Sequence, residues 1–165
     1  MEKKIDEAPL ESGDYMGYIM ELRKIVGNRS LLMAGASVLV VNPKGCLLLQ
    51  LRKDNGHWGL PGGSLEMPES LEDTACRELL EETGLSAKAL EFFELFSGKE
   101  FHYIYPHGDE VYNVIAAFVC RAYEGELTEQ PEEVSALRFF PLDALPEKIS
   151  RPDLPVIKRF IEEWR

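Results

Sequence analysis

The sequence predicts a mixed α/β (α+β) domain without regular βαβ alternation. Three observations carry this. Runs rich in β-branched and aromatic residues recur before and after the middle of the chain. One central segment between them has helical spacing. A further amphipathic segment with helical spacing stands near each end. The resulting order is helix, strands, one helix, strands, helix, which disfavours a doubly wound parallel sheet.

Residues 1–13 are polar and contain Pro9 and Gly13, so a loose N-terminal arm is expected there. In 14–28, Tyr15, Ile19, Leu22 and Ile25 or Val26 fall at helical spacing and Gly27-Asn28 closes the run. A short amphipathic helix, packed on the body or on a partner, follows. "LLMAGASVLVVN" and "CLLLQLR" read as two strands joined by the turn Asn42-Pro43-Lys44-Gly45. "HWGLPGG" reads as a Gly- and Pro-rich loop. Pro68 to Thr83 reads as a helix, with Pro near its start, acids in its first turn and Gly84 at its exit. "AKALEFFELFSG", "EFHYIY", "VYNVIAAFVCRAY" and "ALRFFP" are strand candidates, "LDALP" a turn of helix, and "RPDLPVIKRFIEEWR" a terminal helix. Neither a linker nor a repeat divides the 165 residues, so one domain spanning 1–165 is expected.

Apolar residues make up 45% of the chain, enough for a core, and the formal net charge is −11. That charge argues against broad binding to nucleic acid or anionic membranes, and leaves room for a small anionic ligand offset by metal ions or local cations. Cys46, Cys76 and Cys120 match no CxxC or zinc spacing. No secretory h-region is present and the longest near-apolar run is too short for a membrane span, so a cytoplasmic protein is the default expectation.

The segment "GGSLEMPESLEDTACRELLEETGL", Gly62 to Leu85, holds seven carboxylates against one basic residue, Arg77. On a helix, Glu78, Glu81 and Glu82 stand at i, i+3 and i+4 and share one face, beside an apolar stripe of Leu71, Ala75, Cys76, Leu79 and Leu80. Like charges so spaced, near a helix C-terminus, oppose the macrodipole. Either they form a solvated face or they await a cation, and Mg²⁺ and Mn²⁺ favour such oxygen ligands. The upstream "LPGG" would let backbone carbonyls approach a ligand closely.

The complete spacing runs from Gly63 through Glu69, Arg77-Glu78, an aliphatic Leu79 and Glu81-Glu82 to Gly84-Leu85. It resembles the signature box of the Nudix (MutT-like) hydrolases at every defined position. The surroundings, about residues 33–146, are similar to that family as well. The resemblance implies an α/β/α sandwich with a mixed central sheet. It also implies hydrolysis of a nucleoside diphosphate linked to another moiety, by water activated on Mg²⁺ or Mn²⁺, with two or more ions when substrate is bound. On this resemblance Glu78 and Glu82 are metal ligands, Glu81 is a ligand or the base for a metal-bound water, and the Gly63 carbonyl, in preference to that of Gly62, completes the metal shell. Arg77 and Glu69 are a structural clamp. Glu133, among Glu129, Glu132 and Glu133, is the candidate for a further metal ligand or general base.

For the substrate, Arg52 could reach the phosphates, with Lys53, Lys99 and Arg138 as alternatives. Trp58 could stack on a base or simply pack. Tyr103 lies eighteen residues past the box, where some dinucleoside-polyphosphate hydrolases carry a tyrosine, whereas the sixteenth position, Phe101, lacks the proline frequent in ADP-ribose hydrolases. The implied substrate is a dinucleoside polyphosphate, a nucleotide sugar such as ADP-ribose, or a nucleoside triphosphate. Homodimers are common in the family. The alternative class is a non-catalytic nucleotide-binding module of the same fold, although such domains usually lose box carboxylates and this chain keeps them all.

Overall fold

The structure, a computed structural model, describes residues 17–164; the expected N-terminal arm and the first residues of the expected helix lie outside them. In chain order the elements are α1 (Tyr18–Val26), β1 (Leu31–Val40), β2 (Leu47–Arg52), β3 (Trp58–Gly59), β4 (Gly62–Ser64), α2 (Leu71–Thr83), β5 (Ser86–Phe96), a 3-10 turn (Lys99–Phe101), β6 (His102–Ile104), β7 (Glu110–Glu124), β8 (Val134–Phe140) and α3 (Leu154–Trp164).

A mixed sheet, β4-β1-β7-β5, forms the centre, with β6 also on β7. β1 runs parallel to β7, and the other pairings are antiparallel. Strand alternation divides its side chains between two apolar layers. Ala36, Val38 and Val40 of β1, with Ala116, Phe118 and Cys120 of β7, pack under Ala75 and Leu79 of α2. Leu39 and Val41, with Ile115, Ala117 and Val119, pack under Val156, Ile157 and Phe160 of α3. A helix therefore covers each face, in the expected α/β/α arrangement with a mixed central sheet. Burial on both faces explains why β1 reads as a continuous apolar run rather than an alternating one.

Several local expectations are corrected. β1 and β2 are the two expected strands joined by a turn, but they do not pair along their length. The Asn42–Gly45 turn forms, with Asn42 Oδ1 accepting from the N–H groups of Lys44 and Cys46 at 3.0 Å, but only the Val41–Leu47 bridge follows it. β2 then leaves for a second sheet, β3-β2-β8, because its fully buried leucines find Phe139 and Phe140 of β8. The "HWGLPGG" loop contains β3 and β4. "LDALP" is only a turn, closed by Ala144 N–H to Pro141 O. Helix α2 starts at Leu71 rather than near Pro68, since Ser70 and Asp73 make a capping box: Ser70 Oγ accepts from Asp73 N–H (3.1 Å) and Asp73 Oδ2 from Ser70 N–H (3.0 Å). The apolar stripe of α2 is narrower than expected, because Cys76 and Leu80 are exposed. We expect Ser70→Ala to lower stability by about 1 kcal/mol, measured as a shift in urea midpoint at constant m-value.

Candidate active site

A cavity of about 460 Å³ opens where β4, the C-terminal half of α2, β7 and α1 meet. Its floor holds Glu78, Glu81 and Glu82 from one face of α2, as the i, i+3, i+4 spacing requires, and Glu133 from the turn before β8. The three helical carboxylates sit in different environments. Glu81 is largely exposed, Glu78 is mostly covered, and Glu82 is 4% exposed. Glu82 Oε2 accepts a hydrogen bond from Gly62 N–H (2.8 Å), which ties α2 to β4. Burial pushes the Glu82 carboxyl up to about 8; the Gly62 donor opposes this and the nearby Glu78 charge adds to it. Burial also raises Glu78. Its hydrogen bond from Arg77 opposes the rise, and the charges of Glu81 and Glu133 reinforce it. Glu133 is thus electrostatically joined to the box glutamates although more than fifty residues separate them.

Arg77 gathers these parts. Its Nε and Nη2 donate to the two oxygens of Glu69 (2.5 and 3.0 Å), and Nη2 also donates to Ser64 O (3.1 Å). Nη1 donates to Glu78 (2.7 Å) and Glu81 (3.4 Å). Glu69 accepts further from Thr74 Oγ1 and Glu66 N–H. The Arg77 hydrogen bonds hold the Glu69 carboxyl down to about 2. The fork therefore joins the β4 loop to α2.

Gly63 lies on β4 opposite Ala36, and a Cβ there would sit 2.3 Å from Glu78 Oε1, so only glycine lets this carboxylate lie against the strand. At Gly62 a Cβ would meet Ala36 O at 2.2 Å.

Of the four cations offered for phosphate, Arg52 alone lines the cavity, held by Asp54 through two hydrogen bonds of 3.0 and 2.9 Å. Lys53 donates to Pro131 O, and Arg138 lies over the rings of Trp58 and Phe140. Tyr103 lines the cavity, its hydroxyl accepting from Asn55 Nδ2 (3.1 Å) and its ring edge-on to Tyr105. Trp58 is corrected: it does not line the cavity. Its ring packs edge-on against Phe140 at 4.9 Å and its backbone pairs with Lys148 and Ser150, which fixes it in the core.

Sequence reasoning missed several polar cavity residues, Asp153, Arg23, Asp109 and Asn113 among them. Asp153, just before α3, is buried beside Arg52, and burial raises its carboxyl to about 6 against the pull of Arg52 and the donors Leu60 N–H and Ser150. An Asp ahead of "LPVIKRF" was a readable helix cap, but nothing local placed it near Arg52. Arg23, Asp109 and Asn113 also line the cavity, and no motif marks them.

A model of the NUDIX domain family matches residues 31–160. The chain belongs to the Nudix family. An ADP-ribose pyrophosphatase of Methanocaldococcus jannaschii is 32% identical over 123 residues, covering 72% of this chain and 67% of that protein. An oxidized purine nucleoside triphosphate hydrolase of Danio rerio is 34% identical over 112 residues, 66% of each. The crystal structure of a MutT NUDIX hydrolase from Burkholderia pseudomallei superposes with a TM-score of 0.66 at 27% identity, covering 77% of this chain and 96% of that one. Against the first curated relatives the aligned stretch spans little more than a third of their length, 37% and 36%. Among the described residues of this Nudix chain, no helix is long and apolar enough to cross a membrane.

Whether the floor suits a divalent cation can be tested on its donors. Glu78, Glu81, Glu82 and Glu133 are hard oxygen donors, and two of them have carboxyls raised by burial and mutual charge. Excess negative charge of this kind is relieved by a bound cation. Among the described residues no three His, Cys, Asp or Glu side chains stand close enough together to hold a metal ion as placed; Arg77 Nη1 instead contacts Glu78 and Glu81. The donor chemistry fits Mg²⁺ or Mn²⁺.

Proposed function

We propose that this Nudix protein is a metal-dependent pyrophosphohydrolase that cleaves the diphosphate linkage of a nucleotide. The observation that carries this reading is that four carboxylates from two separate parts of the chain line one cavity whose wall holds Arg52.

In this reading Glu78, Glu82 and Glu81, with the Gly63 carbonyl, would hold Mg²⁺ or Mn²⁺. When bound, the cation supplies charge neutralisation of the diphosphate and a lowered pKa for water. The chain's own residues do the rest. Arg52, preoriented by Asp54, binds a phosphate oxygen. Arg77 and Glu69 keep the β4 loop and α2 in register, so that Glu78 cannot drift from Gly63. Glu133, from outside the helix, takes the proton of the attacking water or adds a ligand.

The names of the relatives bracket the substrate between an ADP-ribose-like nucleotide and a nucleoside triphosphate. The test is product release from a panel of both classes. Turnover is expected with Mg²⁺ or Mn²⁺, with loss of at least about a thousandfold on EDTA treatment and full recovery when the cation is returned. Turnover that survives complete metal removal, or none on any nucleotide, defeats the reading.

A further inference from the structure

Helix α1 precedes the stretch matched by the family, yet Ile19, Met20 and Arg23 form part of the cavity wall. The helix is fastened there at both ends. Its first N–H, at Tyr18, donates to Glu66 Oε2 (2.8 Å), in the β4–α2 loop. Near its other end the buried Arg23 guanidinium donates to Gly27 O (3.0 Å), Arg29 O and Glu110 O (2.7 Å), while its Nε faces Asp109 at 3.4 Å without an aligned hydrogen bond. Arg23 therefore holds α1 against the start of β7.

Under α1, strand alternation aims Val111, Asn113 and Ile115 of β7 at the cavity, with Met33 of β1 in register beside Asn113. Asn113 is 7% exposed. Its Nδ2 donates to Phe101 O (3.2 Å), which fixes the carboxamide, and among the described residues its Oδ1 accepts no hydrogen bond. Tyr103 and Tyr105 stand on the same wall. This end of the cavity thus offers apolar faces and a fixed acceptor, while the ionisable groups beside them, Arg23, Asp109 and His107, are already engaged with one another. A polyhydroxylated sugar would leave hydroxyls unpaired against Ile19, Met20 and Met33, whereas a flat heterocycle bearing an N–H donor satisfies both the faces and the acceptor.

We propose that this end of the cavity is a nucleobase subsite in which Asn113 Oδ1 accepts from an N–H of the base, Ile19 and Met20 of α1 cover it, and Arg23 acts as a positioning residue for α1. This inference rests on the nucleotide-hydrolase reading above and specifies where its substrate's base is held.

The test compares four nucleoside triphosphates with 5-phosphoribosyl pyrophosphate, which keeps the diphosphate and lacks a base. For the native protein, kcat/KM of the best nucleotide should exceed that of the base-free compound by about 30-fold or more. In Asn113→Leu this gap should close to within about threefold, through KM. Because Asn113→Leu leaves Phe101 O unpaired and could impair folding, a second variant, Ile19→Ala with Met20→Ala on the solvent-reached helix, should narrow the gap at least about fivefold. Metal-free calorimetry with a nucleoside monophosphate and with ribose 5-phosphate separates the two readings. Binding of the nucleotide that Asn113→Leu removes, without turnover of any compound, sustains the subsite and defeats the hydrolase. Turnover with no gap in the native protein, or a gap untouched by either variant, overturns the subsite and leaves the hydrolase standing. Neither binding nor turnover overturns both.

Discussion

Glu82→Gln is expected to lower turnover by about a thousandfold or more and, in the metal-free protein at pH 8, to raise the melting temperature. Both effects come from one side chain. Glu82 is among the most buried carboxylates of the floor, and its folded-state carboxyl titrates at about 8 instead of the usual 4.5. A raised carboxylate means that the folded state holds a proton the unfolded chain has released. The penalty is therefore absent below pH 4.5, grows as pH rises from 4.5 to 8, and is constant above. A tenfold change in proton affinity corresponds to roughly 1.4 kcal/mol, so a gain of about 2–4 kcal/mol is expected for the variant at pH 8, or several degrees. Glutamine keeps an oxygen for Gly62 N–H and removes the buried charge. Calorimetric melts of the metal-free proteins at pH 5 and pH 8 check this: the difference should be present at pH 8 and nearly gone at pH 5. A variant that melts at the native temperature at pH 8, or keeps native turnover, contradicts the assignment of Glu82 as a buried charge held for a cation.

How much of this was legible in the sequence follows the range of the interactions. The capping of α2, its shared carboxylate face and the Gly84 exit depend on residues within a turn or two of each other, and periodicity exposes them. The Arg77–Glu69 fork spans eight residues and was readable through the resemblance. The Asn42–Gly45 turn was legible, but the pairing of the strand after it was not, because β2 is drawn away by Phe139 and Phe140, nearly a hundred residues on. Trp58 stayed open between stacking on a base and packing for the same reason: its neighbours Phe140 and Lys148, which make it pack, are distant in sequence. Asn113, Arg23 and Asp153 join the cavity only through β7 register, helix docking and the return of α3. None of these has a local signature, and α1 in particular shows in sequence only an amphipathic face with no indication of what it covers.

Arg77→Met should destabilise the protein by about 2–3 kcal/mol at pH 7 and cut turnover by about ten- to a hundredfold. Methionine keeps much of the apolar stem but deletes every donor of the fork, so Glu69 loses its bidentate partner and Glu78 its only counter-charge in the described structure. The side chains of Arg77 and Glu69 are 28% and 19% exposed, enough cover for the pair to outweigh an ordinary surface ion pair. The acid limb distinguishes this from generic damage. Glu69, held at about 2, contributes stability that is complete above pH 4.5 and is lost as pH falls from 4.5 towards 2. Native stability should fall across that window, and the variant should lack this part of the fall; urea midpoints from pH 5 to pH 2.5 measure it. Arg77→Lys should recover little, since an ammonium cannot reach both Glu69 oxygens, Ser64 O and Glu78 together. If Arg77→Met instead melts like the native protein at every pH and yet loses turnover completely, the guanidinium acts on the substrate, and the clamp assignment gives way to a phosphate contact.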